Sequence, residues 1–218
     1  MAQIFPGWIN KLPLAVIVGG GALSASLAGG VWYFFSPQYT DVGYQPVQPV
    51  PYSHKVHAGD LGIDCRYCHF SVESSAVANI PPTQTCMNCH SLALRNSPKL
   101  APIVDSFSNQ RRMRWIRVHQ LPDYAFFNHS AHVQAGVGCV TCHGRIDQME
   151  EVHQVQPLSM SWCLECHRDP AMNLRPLDEV TNMTWRPPSD PEQHRIFAQQ
   201  AMAERQIQPP EDCSGCHR

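Results

Sequence analysis

Hydrophobic positions are spread unevenly along this chain. Residues 14–35, LAVIVGGGALSASLAGGVWYFF, run 22 positions without a charge, enough for a helix to cross the hydrocarbon of a bilayer. Trp32 and Tyr33 lie at its far end, where interfacial aromatics anchor a span. The next stretch, PQYTDVGYQPVQPVP (37–51), is punctuated by proline and reads as an extended linker. From 52 to 188 no amphipathic or alternating period is sustained, so short helices and coil are predicted there. A last helix is signalled by Asp190-Pro191-Glu192 and continues through HRIFAQQAMAERQ (194–206). Its apolar positions are 196, 197 and 202, and Pro209-Pro210 bound it.

The apolar helix at 14–35 is expected to be retained as an anchor. Small residues such as Ser26 and Ala28 leave a cleaved signal peptide as the other reading. Lys11 before the span and Asp41 after it favour a cytoplasmic N-terminus (1–13), with the rest of the chain on the periplasmic, outer side of a bacterial cytoplasmic membrane. Gly21, Ala25 and Gly29 stand four apart, as do Gly20, Ser24 and Ala28. Such spacing lets another helix approach closely, so contact with partner membrane helices is expected.

Composition changes the picture of the remainder. At 218 residues and 43% hydrophobic, the chain is long enough for one ordinary domain, yet 19 Pro and 13 Gly interrupt it. A net charge of −2 gives no reason to expect nucleic acid. All ten cysteines fall in one pattern: Cys65/Cys68-His69, Cys86/Cys89-His90, Cys139/Cys142-His143, Cys163/Cys166-His167 and Cys213/Cys216-His217. C-x-x-C-H is the attachment signature of haem c, two thioethers followed by the proximal iron ligand. Zinc ribbons use cysteine pairs in twos, and neither zinc nor disulfides account for a histidine after every second cysteine. Five covalent haems are expected, with His69, His90, His143, His167 and His217 as proximal ligands. The haems would then be the core, and the polypeptide a wrapper of short α-helices and coil.

Seven histidines lie outside these motifs, and two pairs of them recur in one setting. PYSHKVHAGDLGIDCRYCH (51–69) and FFNHSAHVQAGVGCVTCH (126–143) align as an aromatic, then H-x-x-H, then a haem motif. Together with the similar spacing from Cys65 to Cys86 and from Cys139 to Cys163, this predicts two related two-haem modules. They span 52–125, with its connection, and 126–188, after a 36–51 linker and before a C-terminal helix and fifth haem at 189–218.

This arrangement resembles the small multihaem cytochromes of the c3 and c7 type. The resemblance implies that His54 and His129 ligate the haems attached just downstream of them, while His57 and His132 reach across to a different haem each. For the fifth distal ligand the expectation is His119, in RWIRVHQLPDY, with His153, His194, Met149, Met160 and Met183 as alternates. Arg111, Arg112, Arg114 and Arg117 would either pair with haem propionates or form a solvated helical face.

Pentahaem nitrite reductases mark an open iron by a Lys in place of a motif His. Every motif here ends in His, and no catalytic triad, phosphate loop or isolated carboxylate pair is present, so a catalytic residue is not expected in this chain. SHKVHAGDLGIDCRYCH, RVHQLPDYAFFNHSAH and LSMSWCLECHRDP, with the anchor, make the chain similar to the pentahaem cytochrome c component of bacterial alternative complex III. That resemblance implies an electron-transfer subunit of a quinol oxidoreductase, not catalytic by itself. Its partners would be polytopic quinol-binding membrane subunits and a periplasmic iron–sulfur subunit, with a monohaem cytochrome, copper protein or oxidase as acceptor. The alternatives are a single-helix multihaem quinol dehydrogenase feeding a periplasmic reductase, and a free-standing anchored shuttle.

Overall fold

The structure, a computed structural model, describes residues 4–217. The chain divides into two compact units, one reaching to Val42 and the other starting at Gly43.

The first unit is built on helix α1, Leu12–Phe34. Pro13 in its first turn costs no hydrogen bond there, and its fixed φ suits a helix start. With the tight turn Gly7–Lys11 it makes a helix of 28 residues, long and apolar enough to cross a membrane. None of the α1 side chains is buried within the chain. A methyl group added at Gly20, Gly21 or Gly29 would meet nothing within 4 Å, so the small-residue faces are open. At the C-terminal end Tyr33, Phe34 and Tyr39 meet ring to ring at 4.9–5.7 Å. The proline-punctuated stretch does not begin as an extended linker. Pro37 opens a helical turn, α2 (Pro37–Thr40), because proline is tolerated at a first helical position.

The second unit holds short helices: α3 (Cys65–Cys68), α4 (Thr83–His90), α5 (Ala101–Ser108), α6 (His129–Ala135), α7 (Cys139–His143), α8 (Met160–Arg168), α9 (Pro191–Glu204) and α10 (Cys213–Cys216). Among the described residues there is no strand, only two isolated bridges, Ala125 to His217 and Val137 to Leu174. Residues 43–51 are not a free tether within this unit. Gly43 N–H donates to the Gln154 carbonyl (2.7 Å), the Gln48 side chain brackets the Ile116 backbone (2.8 and 3.0 Å), and Val50 is buried.

The apolar interior is thin for a unit of this length. Among the described residues the buried apolar side chains are Val50, Ile103, Met149, Leu174, Val180, Met183, Ala198 and Ala201. Rings and branched side chains near the cysteine motifs, such as Tyr67, Phe70, Val77 and Leu92, stay exposed. A chain that covers so little apolar surface by itself is one whose interior is completed by something else.

Helix α9 packs on its small side chains. Asp190 caps it, its carboxylate accepting from Glu192 N–H at 3.0 Å, and Pro191 follows. The buried positions are His194, Ala198 and Ala201, whereas Ile196 is 48% exposed. Two alanines let the helix backbone approach the Ala171–Asn173 turn, which a face of Ile, Phe and Met would hold off. The arginine run 111–117 forms no helical face either. It is coil, because Gln110 takes φ +52 and ends α5, and Arg111 pairs with Asp105 at 3.0 Å.

Candidate haem-attachment and ligand sites

Each Cys-x-x-Cys pair lies on one short helical turn, so that the two sulfurs leave the same side. Local caps set these turns up. Asp64, Ser159 and Asp212 accept from the backbone N–H of Arg66, Trp162 and Gly215. All ten thiols are free. Among the described residues no three His, Cys, Asp or Glu side chains gather as they would around a bare metal ion.

The histidines share one device. The Nδ1–H of His57, His69, His90, His129, His132, His167 and His217 donates to the backbone carbonyl of Ser53, Asn79, Ala93, Ala76, Asn128, Pro210 and Tyr124, at 2.6–3.3 Å. That bond holds the ring in one tautomer and leaves Nε2 as a bare lone pair, which is the atom an iron takes.

The two H-x-x-H segments have matching geometry. In the first, the Tyr52 ring meets His54 edge-on at 4.8 Å and stacks on His57 at 4.5 Å. In the second, Phe127 meets His129 edge-on at 4.7 Å and stacks on His132 at 4.5 Å. The aromatic two residues before the first histidine is thus a spacer that sets both imidazoles. The 3.6-residue period of α6, and a wider helical turn over Lys55–Asp60, turn the second histidine away from the first.

These second histidines reach the far motif of their own module. His57 stands 6.0 Å from His90 and His132 stands 6.1 Å from His167, centroid to centroid, while His129 is 6.5 Å from His143 with rings 13° from parallel. Two imidazoles bound from opposite sides of one metal, through bonds of about 2 Å each, hold their centroids about 6 Å apart. Free thiol pairs, oriented Nε2 atoms and these spacings together fit haem c. His54 lies beside His69, and burial, then the nearby His69 and His57, pushes it down to about 4.

Neighbouring motifs touch in a definite order. Burial raises the Cys68 thiol, and Cys86, Cys65 and Cys89 add to that; Asn88 also donates to the Tyr67 hydroxyl at 3.2 Å. The Cys139 thiol donates to Cys65, which raises the one and lowers the other, and Thr181 donates to Asp64 beside them at 2.9 Å. Cys142 is pushed up to about 12 by burial, then by Cys166 and Cys163. Cys163 is raised by burial, then by Cys216, and the fifth segment's Pro210 carbonyl holds His167.

The remaining sequence candidates are dispersed. His119, expected as the fifth distal ligand, stands 4.4 Å from His143 of the third motif, and Ile116 near it is held by Gln48. His153 lies close to His119. His194 is fully buried under α9, its Nε2–H donating to the Ala171 carbonyl at 3.1 Å with Trp185 and Phe197 around it. Met149 and Met183 are core side chains, and Met160 is 64% exposed at the start of α8. The ring that His217 meets is that of Tyr124, at 5.7 Å. Sequence reasoning missed Arg175, a buried guanidinium under Trp185 that closes the loop 174–182 through the Glu179 and Asn182 carbonyls. It also missed the carbonyls that orient the histidines, which carry no side-chain signal.

Residues 125–218 match the family described as cytochrome c7 and related cytochrome c. This stretch, which holds the third, fourth and fifth Cys-x-x-Cys-His motifs, is similar to that family. Over 122 residues the chain is 35% identical to the menaquinone reductase, multiheme cytochrome c subunit, of Nitratidesulfovibrio vulgaris (strain Hildenborough), a match covering 56% of this chain and 55% of that protein. The chain thus spans about half the length of the curated relative it matches.

Proposed function

We propose that this chain is a membrane-anchored pentahaem electron-transfer subunit of a quinol-linked oxidoreductase. The observation that carries the reading is the repeated reach of the second histidine, His57 to His90 and His132 to His167, at 6.0 and 6.1 Å. The five motif histidines would be the proximal ligands. His54, His57, His129 and His132 would be the distal ligands of the haems held by His69, His90, His143 and His167. Each haem c would supply a one-electron iron couple. The protein's part would be to hold five such groups in sequence, and the neighbouring motifs make one unbranched file: second, first, third, fourth, fifth. Cys86/Cys89 and Cys213/Cys216 are then the two ports, and Cys89 and Cys213 are exposed.

The finer reading is the pentahaem cytochrome of an alternative complex III, with the haem unit in the periplasm. Polytopic quinol-binding and iron–sulfur subunits would feed it, and a monohaem cytochrome, copper protein or oxidase would drain it. The open faces of Gly20, Gly21 and Gly29 support a helix partner. A second reading is favoured by the 35% identical relative: a complex that delivers electrons to menaquinone. The two differ in the direction of flow.

The test is to extract native membranes in mild detergent, separate them on a native gel, stain for haem and assay the same band. A large haem-staining assembly whose haems are reduced by menaquinol supports the first reading. An assembly that resists menaquinol but passes electrons from a reduced donor to menaquinone supports the second. A chain that migrates alone and oxidises quinol is a single-helix dehydrogenase. Alone and inert, it is a shuttle, and the proposed partners are wrong.

A further inference from the structure

Among the described residues four buried imidazole nitrogens lack a hydrogen-bond partner: Nδ1 of His54, His143 and His194, and Nε2 of His119. His143 Nδ1 is orphaned although His69, its counterpart in the first module, donates to the Asn79 carbonyl at 2.6 Å. Of the four, the nitrogens of His143 and His119 belong to rings in contact. The two rings touch edge to face, 4.4 Å apart at 76°. An enclosed Nε2 has no open space before it for a metal, unlike the Nε2 atoms of the paired histidines. Moreover, the position facing His143 across the third site is already taken by His129, nearly parallel at 6.5 Å. His119 is therefore neither a second ligand at the third site nor placed to be one elsewhere through that nitrogen.

We infer that His119 is a positioning residue for the proximal histidine of the third haem: a small turn of the two touching rings lets His143 Nδ1–H donate to His119 Nε2, the part that a backbone carbonyl plays at His69. Each orphan is then the other's partner, in keeping with the near-universal pairing of buried polar groups. The inference rests on the proposed haem ligation. A hydrogen bond accepted from the outer nitrogen makes an imidazole a stronger donor to its metal and stabilises the oxidised iron. The third haem lies at the middle of the file, so its potential bears on passage between the two modules. An imidazole acceptor gives that one site a tuning group that the carbonyl-held sites lack.

The experiment uses the full membrane-extracted chain with its haems. Haem content of the wild type by pyridine haemochrome tests the ligation reading first: fewer than five haems would overturn that reading, irrespective of His119. His119→Phe keeps the ring volume and removes the acceptor, and His119→Gln keeps an acceptor. The expected result is that both variants retain the wild-type haem count and all low-spin electron paramagnetic resonance signals. In a spectroelectrochemical titration of His119→Phe, one haem should move to higher potential and the others stay, with His119→Gln nearer wild type. Loss of a low-spin signal with a new high-spin one would overturn the inference by making His119 an axial ligand. Titrations of both variants that superimpose on wild type would overturn it by removing the contact.

Discussion

At the scale of single residues, the imidazoles are prepared as ligands before any iron is considered. Burial holds His54 and His119 down to about 4 and His143 to about 3, with neighbouring histidines reinforcing it. Such rings are neutral at physiological pH and present a lone pair rather than a second proton. Tyr52 and Phe127 then hold the two rings of each pair apart, one edge-on and one stacked. The proposed pairing of His132 with His167 makes a specific expectation. His132→Met should leave five covalent haems, since attachment depends on the cysteines, but raise the potential of a single haem, because a thioether stabilises reduced iron relative to imidazole. A redox titration showing all five unchanged would remove His132 from the ligand set. The H-x-x-H pattern was legible in the sequence, but the partner of each second histidine was not, because it lies 33 or 35 positions away at His90 and His167.

At the scale of elements, α3, α6, α8, α9 and α10 are each pinned at the start by a side-chain cap, and the short helices are held by neighbours rather than by length. Helix α9 shows where pattern reading fails. Its large apolar residues stand at 196, 197 and 202, whereas the structure buries His194 with the small Ala198 and Ala201, since close approach to the Ala171–Asn173 turn outweighs side-chain size. Ala198→Leu should therefore cost about 1–3 kcal/mol by overpacking. Ile196→Ala, at a half-exposed position, should stay within about 0.5–1 kcal/mol of wild type. Thermal melts followed in the haem absorbance band distinguish them, and a larger loss from Ile196→Ala would put Ile196 in the packed face. Gly136 illustrates a different constraint. It ends α6 at φ +91, and an added Cβ there would meet the Arg175 carbonyl at 2.6 Å, so both backbone and space require glycine.

At the scale of the whole molecule, a span with no buried side chain and a second unit with a thin apolar interior both leave apolar surface that the chain does not cover by itself. If the small-residue face packs against another helix, Gly21→Leu with Gly29→Leu should release the chain from its assembly on a native gel while leaving haem content intact. Unchanged migration would mean that the partner contact lies elsewhere.

The attachment motifs and the apolar span could be read from sequence because both are local: two thiols and a histidine within five positions, and 22 residues without a charge. The duplication was readable for the same reason, as a short pattern occurring twice. Tertiary structure alone decided which motifs neighbour one another, that residues 43–51 lie along the second unit, and that His119 stands against His143. Those outcomes rest on backbone carbonyls and contacts between distant segments, and a carbonyl is common to every residue, so no side-chain pattern announces which one will be used.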